Sequence, residues 1–92
     1  MAGGHVATVY IPVLMRDLTG GREQVNVTGR TVAQVIDALD AAYPGAKARL
    51  CDGDQLARSL AVSVDGVITR LRLYAPVQAD SVLCFLPMIE GG

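Results

Sequence analysis

One long helical pattern constrains the fold most, because it separates two groups of predicted strands. It begins at Thr31, where Thr31 and Gln34 have the spacing of a capping box, in which each side chain accepts from the other residue's backbone N–H. Apolar residues then recur at helical spacing, at Val32, Val35, Ile36, Leu39 and Tyr43. Pro44-Gly45 ends the pattern. The sequence therefore predicts one main helix whose apolar stripe packs against a sheet.

Two strand patterns precede the helix. Residues 6–15 are rich in β-branched side chains and predict a strand with Val9, Ile11 and Val13 on one face and Thr8 and Tyr10 on the other. Pro12 cannot donate to a sheet, so it is expected near the end of this strand, at a bulge, or with its missing donor facing outward. Residues 23–28 predict the returning strand, after turn residues at 17–21.

Further strands follow the helix. Residues 60–64 and 67–71 predict a second hairpin around Asp65-Gly66, a strong two-residue turn. Residues 82–86 predict a last, wholly apolar strand. This order is typical of an α+β fold, the β-grasp (ubiquitin-like) architecture, in which a mixed sheet has one main helix on one face. A right-handed crossover then places the first and last strands side by side in the middle.

The length of 92 residues allows one domain, and the core must be aliphatic because only 4% of the residues are aromatic and Trp is absent. We expect a flexible leader or tag remnant at residues 1–5, the β-grasp domain at 6–89, and a flexible C-terminal diglycine tail at 90–92. Ala46 to Cys51 is expected to form a short helical turn within the domain.

Composition argues against several partners. The net charge is −1 and the basic residues are scattered, so no nucleic acid is expected to bind. The longest apolar run, residues 82–89, is interrupted by Pro87 and is shorter than the roughly 20 residues that cross a bilayer. Without a membrane span or a signal peptide, the expected location is cytoplasmic.

The residues that most often catalyse reactions or bind metals have no supporting pattern. Cys51 and Cys84 lie far apart, outside any C-x-x-C spacing, and are interpreted as two buried reduced thiols. His5 is the only histidine and has no evident nucleophile beside it, so no catalytic role is assigned to it. No metal site is expected.

The candidate reactive group is instead the terminal carboxylate, which is carried by two consecutive glycines, Gly91-Gly92. Glycine lacks a Cβ, so such a tail can pass through a narrow channel into another protein's active site. The structural alternative is a frayed or truncated terminus. Because the last strand of the predicted β-grasp leads directly into the two glycines, we favour a tail that enters another protein's active site over a frayed terminus.

Over residues 6–92 the chain resembles the MoaD/ThiS family of ubiquitin-like sulfur carriers. The residues that support this resemblance are Ile11-Pro12, 14–16, Thr19-Gly20-Gly21, Tyr43-Pro44-Gly45, Arg49-Leu50, 62–66, 80–82, Leu86-Pro87 and Gly91-Gly92. The terminal diglycine is the specific part. The Thr-Gly-Gly loop and the helix end are similar to the carrier of an actinobacterial cysteine-synthesis route.

The resemblance implies a mechanism centred on Gly92. An E1-like adenylyltransferase/sulfurtransferase of the MoeB/ThiF type would use ATP to adenylate its carboxylate, and sulfur transfer would give a thiocarboxylate. A sulfur-accepting synthase would receive the sulfur, and a metalloprotease would release product or trim the tail. The chain would be a co-substrate and not an enzyme, with no bound cofactor of its own.

The apolar end of the chain is predicted to bind these partners. The residues assigned to this role are Leu86, Pro87, Met88, Ile89, Glu90 and Gly91. For Leu86, a place in the core is equally compatible with the pattern.

Two other functions share the adenylation step, namely the small subunit of molybdopterin synthase and a ubiquitin-like modifier attached to lysines. Lys47 is the only lysine, so chains of the modifier could grow through that side chain alone.

Overall fold

The computed structural model describes residues 6–88. It contains a five-stranded sheet, a two-stranded sheet, one main helix and one short helix. The elements are β1 Val6–Tyr10, β2 Gln24–Thr28, α1 Val32–Ala42, α2 Ala46–Leu50, β3 Cys51–Asp52, β4 Gln55–Leu56, β5 Leu60–Val64, β6 Val67–Ile68 and β7 Val82–Pro87, with 3₁₀ turns at Val13–Met15 and Arg72–Tyr74.

The strand order is β2-β1-β7-β5-β6. β1 and β7 are parallel neighbours, with Thr8 opposite Val82, and every other pair in this sheet is antiparallel. The predicted β-grasp architecture is confirmed, including the central position of the first and last strands. The functional consequence is that the last strand is supported by a neighbour on each side.

The core lies between α1 and one face of the sheet. From the helix it receives the buried residues Val32, Val35, Ile36 and Leu39, as the apolar stripe predicted. From the strands it receives alternate residues, including Ala7, Val9, Val25, Val27, Val62, Leu83 and Phe85. Phe85 is the only aromatic residue among them, so the core is aliphatic, as the composition predicted.

The start of α1 differs in one detail from a capping box. Thr31 Oγ1 accepts the backbone N–H of Gln34 at 3.2 Å, as expected of an N-cap. The Gln34 side chain accepts from the backbone N–H of Arg30, at 2.9 Å, and not from that of Thr31. Both bonds satisfy backbone donors at the helix entry, but the reciprocal bond is displaced by one residue.

The first strand is shorter than predicted. β1 ends at Tyr10, and after Pro12 the chain turns into a 3₁₀ turn, in which the N–H of Met15 donates to the Pro12 carbonyl at 2.9 Å. Pro12 has no backbone N–H to donate to a neighbouring strand, so no sheet hydrogen bond from this position is lost when the chain turns. Met15 is fully buried, whereas Val13 is 76% exposed, so the prediction that Val13 shares one face with the buried Val9 and Ile11 is wrong.

The second hairpin is also shorter than predicted, because β6 ends at Ile68 and not at residue 71. The Thr69 hydroxyl accepts the backbone N–H of Leu71 at 3.1 Å, which replaces strand pairing by a local turn. The last strand, in contrast, continues one residue beyond the prediction, to Pro87.

Candidate functional site at the end of the last strand

The start of β7 is held by a hydrogen-bond network between the buried Ser81 and the exposed Asp65. Ser81 is 2% exposed; its Oγ donates to Asp65 Oδ2 at 2.8 Å and accepts from the Gln78 N–H at 3.0 Å. The other oxygen of the Asp65 carboxylate accepts from the Val82 N–H at 2.8 Å. The turn between β5 and β6 therefore fixes the point at which β7 enters the sheet.

The end of β7 is held as well. Pro87 lies opposite Leu60 on β5, and one residue later the N–H of Met88 donates to the Ser59 carbonyl at 2.7 Å. The turn before β5 is itself tied by Arg72, whose Nη2 donates to the carbonyls of Ala57 at 2.9 Å and Leu60 at 3.0 Å. The backbone is thus hydrogen-bonded as far as Met88, four residues before Gly92 in the sequence.

The two faces of β7 have different surroundings. Leu83 and Phe85 point into the core, while Cys84 and Leu86 lie on the opposite face. Leu86 is 38% exposed, so of the two positions compatible with its sequence pattern it takes the surface one. Pro87 and Met88 are also exposed, with Met88 at 47%.

An apolar groove of about 660 Å³ adjoins this end of the strand. It is lined by Tyr10, Ile11, Pro12, Val13, Leu14, Arg16, Leu60, Cys84, Phe85, Leu86 and Pro87. The sequence predicted the β7 wall of this groove at Leu86 and Pro87. It did not predict that Val13 and Leu14 line the groove, because the first strand was expected to continue through both residues. A signal was present: Val13, Leu14 and Met15 are consecutive apolar residues after a proline and do not alternate.

The Pro12–Leu14 side of the groove is connected to α2 by Arg49. Arg49 Nη1 donates to the Leu14 carbonyl at 2.6 Å and to Asp17 Oδ1 at 2.9 Å, and Nη2 donates to Asp17 Oδ2 at 2.9 Å. The hydrogen bond from Arg49 lowers the pKa of Asp17 below its ordinary value, and the same contact raises the pKa of Arg49. We call this arrangement the Arg49–Asp17 clamp.

The remaining reactive side chains are two cysteines and one lysine, of which Cys51 and Lys47 line one small pocket and Cys84 lines the groove. Cys51 is buried, as predicted, and burial raises the pKa of its thiol. Cys84 is only half-buried and lines the groove, so the prediction that both thiols are buried is wrong for Cys84. Lys47 forms an ion pair with Asp37 at 3.2 Å, and this hydrogen bond raises the pKa of Lys47.

Within residues 6–88, no group of three or more His, Cys, Asp or Glu side chains could hold a metal ion. Over the same residues, no helix has the length and apolar character needed to cross a membrane. His5 and the tail residues Ile89, Glu90, Gly91 and Gly92 lie outside the described part of the chain.

This architecture is that of the β-grasp proteins. SAMP1 from Haloferax volcanii shares the fold, with a TM-score of 0.75 and 23% identity over 95% of this chain and 99% of that one. A chain of the BexX/CysO complex of Amycolatopsis orientalis is more similar, with a TM-score of 0.84 and 36% identity over 94% of this chain and 99% of that one.

The sequence comparison agrees with the structural one and is more specific. The model of the ThiS family matches residues 9–92. The sulfur carrier protein CysO of Mycobacterium tuberculosis is 35% identical over 91 residues, which cover 92% of this chain and 97% of that protein. The chain therefore belongs to the ThiS family of sulfur carriers, in which the protein is a co-substrate and not a catalyst.

Proposed function

We propose that the Gly92 carboxylate is the sulfur-carrying group of this protein. A carboxylate is a poor electrophile, so an activating enzyme first joins it to the AMP part of ATP and releases pyrophosphate. Sulfide then attacks the acyl adenylate, and AMP leaves; if the outer sulfur of a persulfide attacks instead, a thiol next cleaves the resulting acyl disulfide and forms a disulfide with the donor sulfur. The product is a C-terminal thiocarboxylate, whose sulfur a second enzyme transfers to its substrate. The carrier itself needs neither a general base nor a metal for these steps.

The observation that supports this proposal most is the anchoring of β7 at both ends. Ser81 and Asp65 hold its start, and the Met88 N–H on the Ser59 carbonyl holds its end. A short tail that begins from such a rigid base can be directed into an enzyme's active site with little loss of conformational entropy in the domain. The exposed apolar residues Leu86 and Met88 then provide contact area beside the tail.

Cysteine synthesis is the pathway that we propose for the sulfur. Support comes from the relatives named CysO, which include a sulfur carrier at 35% identity. The existence of a complex between a CysO and BexX supports a second element of the proposal, namely that a carrier of this kind docks on a partner enzyme. A sulfur-accepting synthase and an E1-like activating enzyme are accordingly the partners that we propose here.

The direct test is thiocarboxylate formation. The intact protein is incubated with ATP, the activating enzyme of its host and a sulfide source, and is then examined by intact and tandem mass spectrometry. We expect one oxygen-to-sulfur exchange, located at Gly92. Sulfur found on Cys84 or Cys51, with Gly92 still a carboxylate, would refute the proposal.

Two tail variants provide the control. Deletion of Gly92, or addition of one alanine after it, should abolish adenylation because the reacting carboxylate is displaced. Thermal stability should remain that of the unmodified protein, since Phe85 is the last core residue within residues 6–88 and lies seven positions before Gly92. Adenylation of the extended variant without proteolytic trimming would contradict the mechanism.

The mode of partner binding distinguishes a shuttle from an enzyme subunit. A carrier that visits two enzymes in turn needs weak and exchangeable contacts. We therefore expect affinity capture from host extract to give complexes that dissociate during washing. A stoichiometric complex with a molybdopterin-synthase large subunit that survives extended washing would favour the subunit role instead.

A further inference from the structure

The Pro12–Leu14 segment exposes apolar side chains that the fold does not need. Val13 is 76% exposed and Leu14 is 43% exposed, although Met15 next to them is completely buried. Both exposed side chains line the same apolar groove as Leu86 and Pro87. The groove thus has one wall from the end of β7 and another from a segment more than seventy residues earlier in the sequence.

The length of the tail limits which molecule can cover this groove. Gly92 lies four positions after Met88, and a fully extended chain spans at most about 3.6 Å per residue, so the Gly92 carboxylate lies within about 14 Å of Met88. An enzyme that acts on this carboxylate must bring its own surface to the end of β7. The groove begins there, so the same enzyme surface has to meet it.

We infer that the Pro12–Leu14 turn is a second docking element for the activating enzyme, and that Arg49 is a positioning residue for it. This inference rests on the proposed function, because it assumes that such an enzyme engages Gly92. The occupant is a protein surface with apolar side chains, since the groove offers little else to recognise.

Arg49 is suited to the positioning role by its bond to the turn itself. Its Nη1 donates to the Leu14 carbonyl, and its two-pronged contact with Asp17 fixes the guanidinium plane. α2 therefore holds the turn in one conformation before the enzyme arrives. A turn that is already ordered loses less conformational entropy on binding than a mobile one.

The test of the docking element uses two valines with similar exposure. Val13→Asp changes the groove, whereas Val67→Asp places the same charge on β6, at the far edge of the sheet, where Val67 is 67% exposed. Adenylation is followed by ATP–pyrophosphate exchange with carrier concentration varied. We expect Val13→Asp to raise KM for the carrier about tenfold, with kcat within about twofold, because an apolar interface contact is lost while the chemical step is intact. Val67→Asp should leave both constants unchanged.

The positioning role is tested by Arg49→Gln, alone and combined with Val13→Asp. Alone, it should raise KM about threefold without changing kcat, since the turn keeps its side chains but loses its fixed conformation. In the Val13→Asp background its effect should shrink, because coupled residues are not additive. Equal effects in the two backgrounds would overturn the positioning role.

The outcomes separate this inference from the proposed function. If the unmodified carrier is not adenylated at all, the proposed function fails. If it is adenylated and Val13→Asp behaves as Val67→Asp does, the docking element is refuted while the function stands. Circular dichroism and thermal melts of every variant establish that folding is retained.

Discussion

Replacing the buried Ser81 by alanine should destabilise the protein more than the same change at the exposed Ser59. The Ser81 hydroxyl is almost completely buried and donates to the Asp65 carboxylate at 2.8 Å. It also accepts the Gln78 N–H at 3.0 Å, so the substitution leaves a backbone donor without its partner. A hydrogen bond to a charged group contributes about 1.5–3 kcal/mol, and we expect Ser81→Ala to lower the free energy of unfolding by about 2 kcal/mol.

This loss corresponds to a measurable change in melting temperature. With an unfolding entropy of about 2.1 cal/mol/K per residue, a chain of 92 residues loses about 10 °C in Tm for 2 kcal/mol. Differential scanning calorimetry, supported by urea unfolding, measures both quantities. The matched control is Ser59→Ala, because Ser59 is exposed and its hydroxyl has no hydrogen bond within residues 6–88. A fall in Tm for Ser81→Ala no larger than for Ser59→Ala would refute the anchoring role of this network.

Three further predictions concern other parts of the chain. Gly29→Ala should destabilise the fold by about 1–3 kcal/mol in urea unfolding, because an added Cβ would lie 2.8 Å from a backbone nitrogen of α1, which cannot move away; an unchanged midpoint would contradict this contact. An NMR titration should place the pKa of Asp17 below its ordinary value, and the Arg49→Gln substitution should return this pKa toward that value. The small stabilisation that the Asp17–Arg49 contact provides is present above the normal carboxyl pKa range and is lost as the pH falls through the lowered pKa. Iodoacetamide should alkylate Cys84 before Cys51, because burial hinders access to Cys51 and raises the pKa of its thiol; peptide mass spectrometry that finds the reverse order would contradict the difference in burial.

Local chemistry in the sequence predicted much of the fold. The periodicity of Val32, Val35, Ile36 and Leu39 identifies the helix, since these residues face one side whatever the helix packs on. Asp65-Gly66 identifies the second hairpin, because both residues adopt positive φ angles in a tight turn. The number and order of these elements then leave few topologies, and the β-grasp arrangement followed.

The errors of prediction arose where a pattern is compatible with two structures. Residues 6–15 are β-rich throughout, so their pattern alone does not show that β1 ends at Tyr10. The deciding interaction is the burial of Met15, in a 3₁₀ turn that packs against α2, an element some thirty residues later. The partner of the Gln34 side chain was likewise a choice between two neighbouring backbone donors, at Arg30 and Thr31.

The sequence by itself determined the helix, the hairpins and the hypothesis that Gly92 is the reactive end, because each depends on residues adjacent in the chain. Tertiary structure alone decided the groove, since its walls come from Val13 and Leu14 on one side and Leu86 and Pro87 on the other. It also decided the clamp between Arg49 and the Leu14 carbonyl, a bond across 35 residues. Contacts between distant segments exist only when the whole core has formed, so no local pattern of residues predicts them.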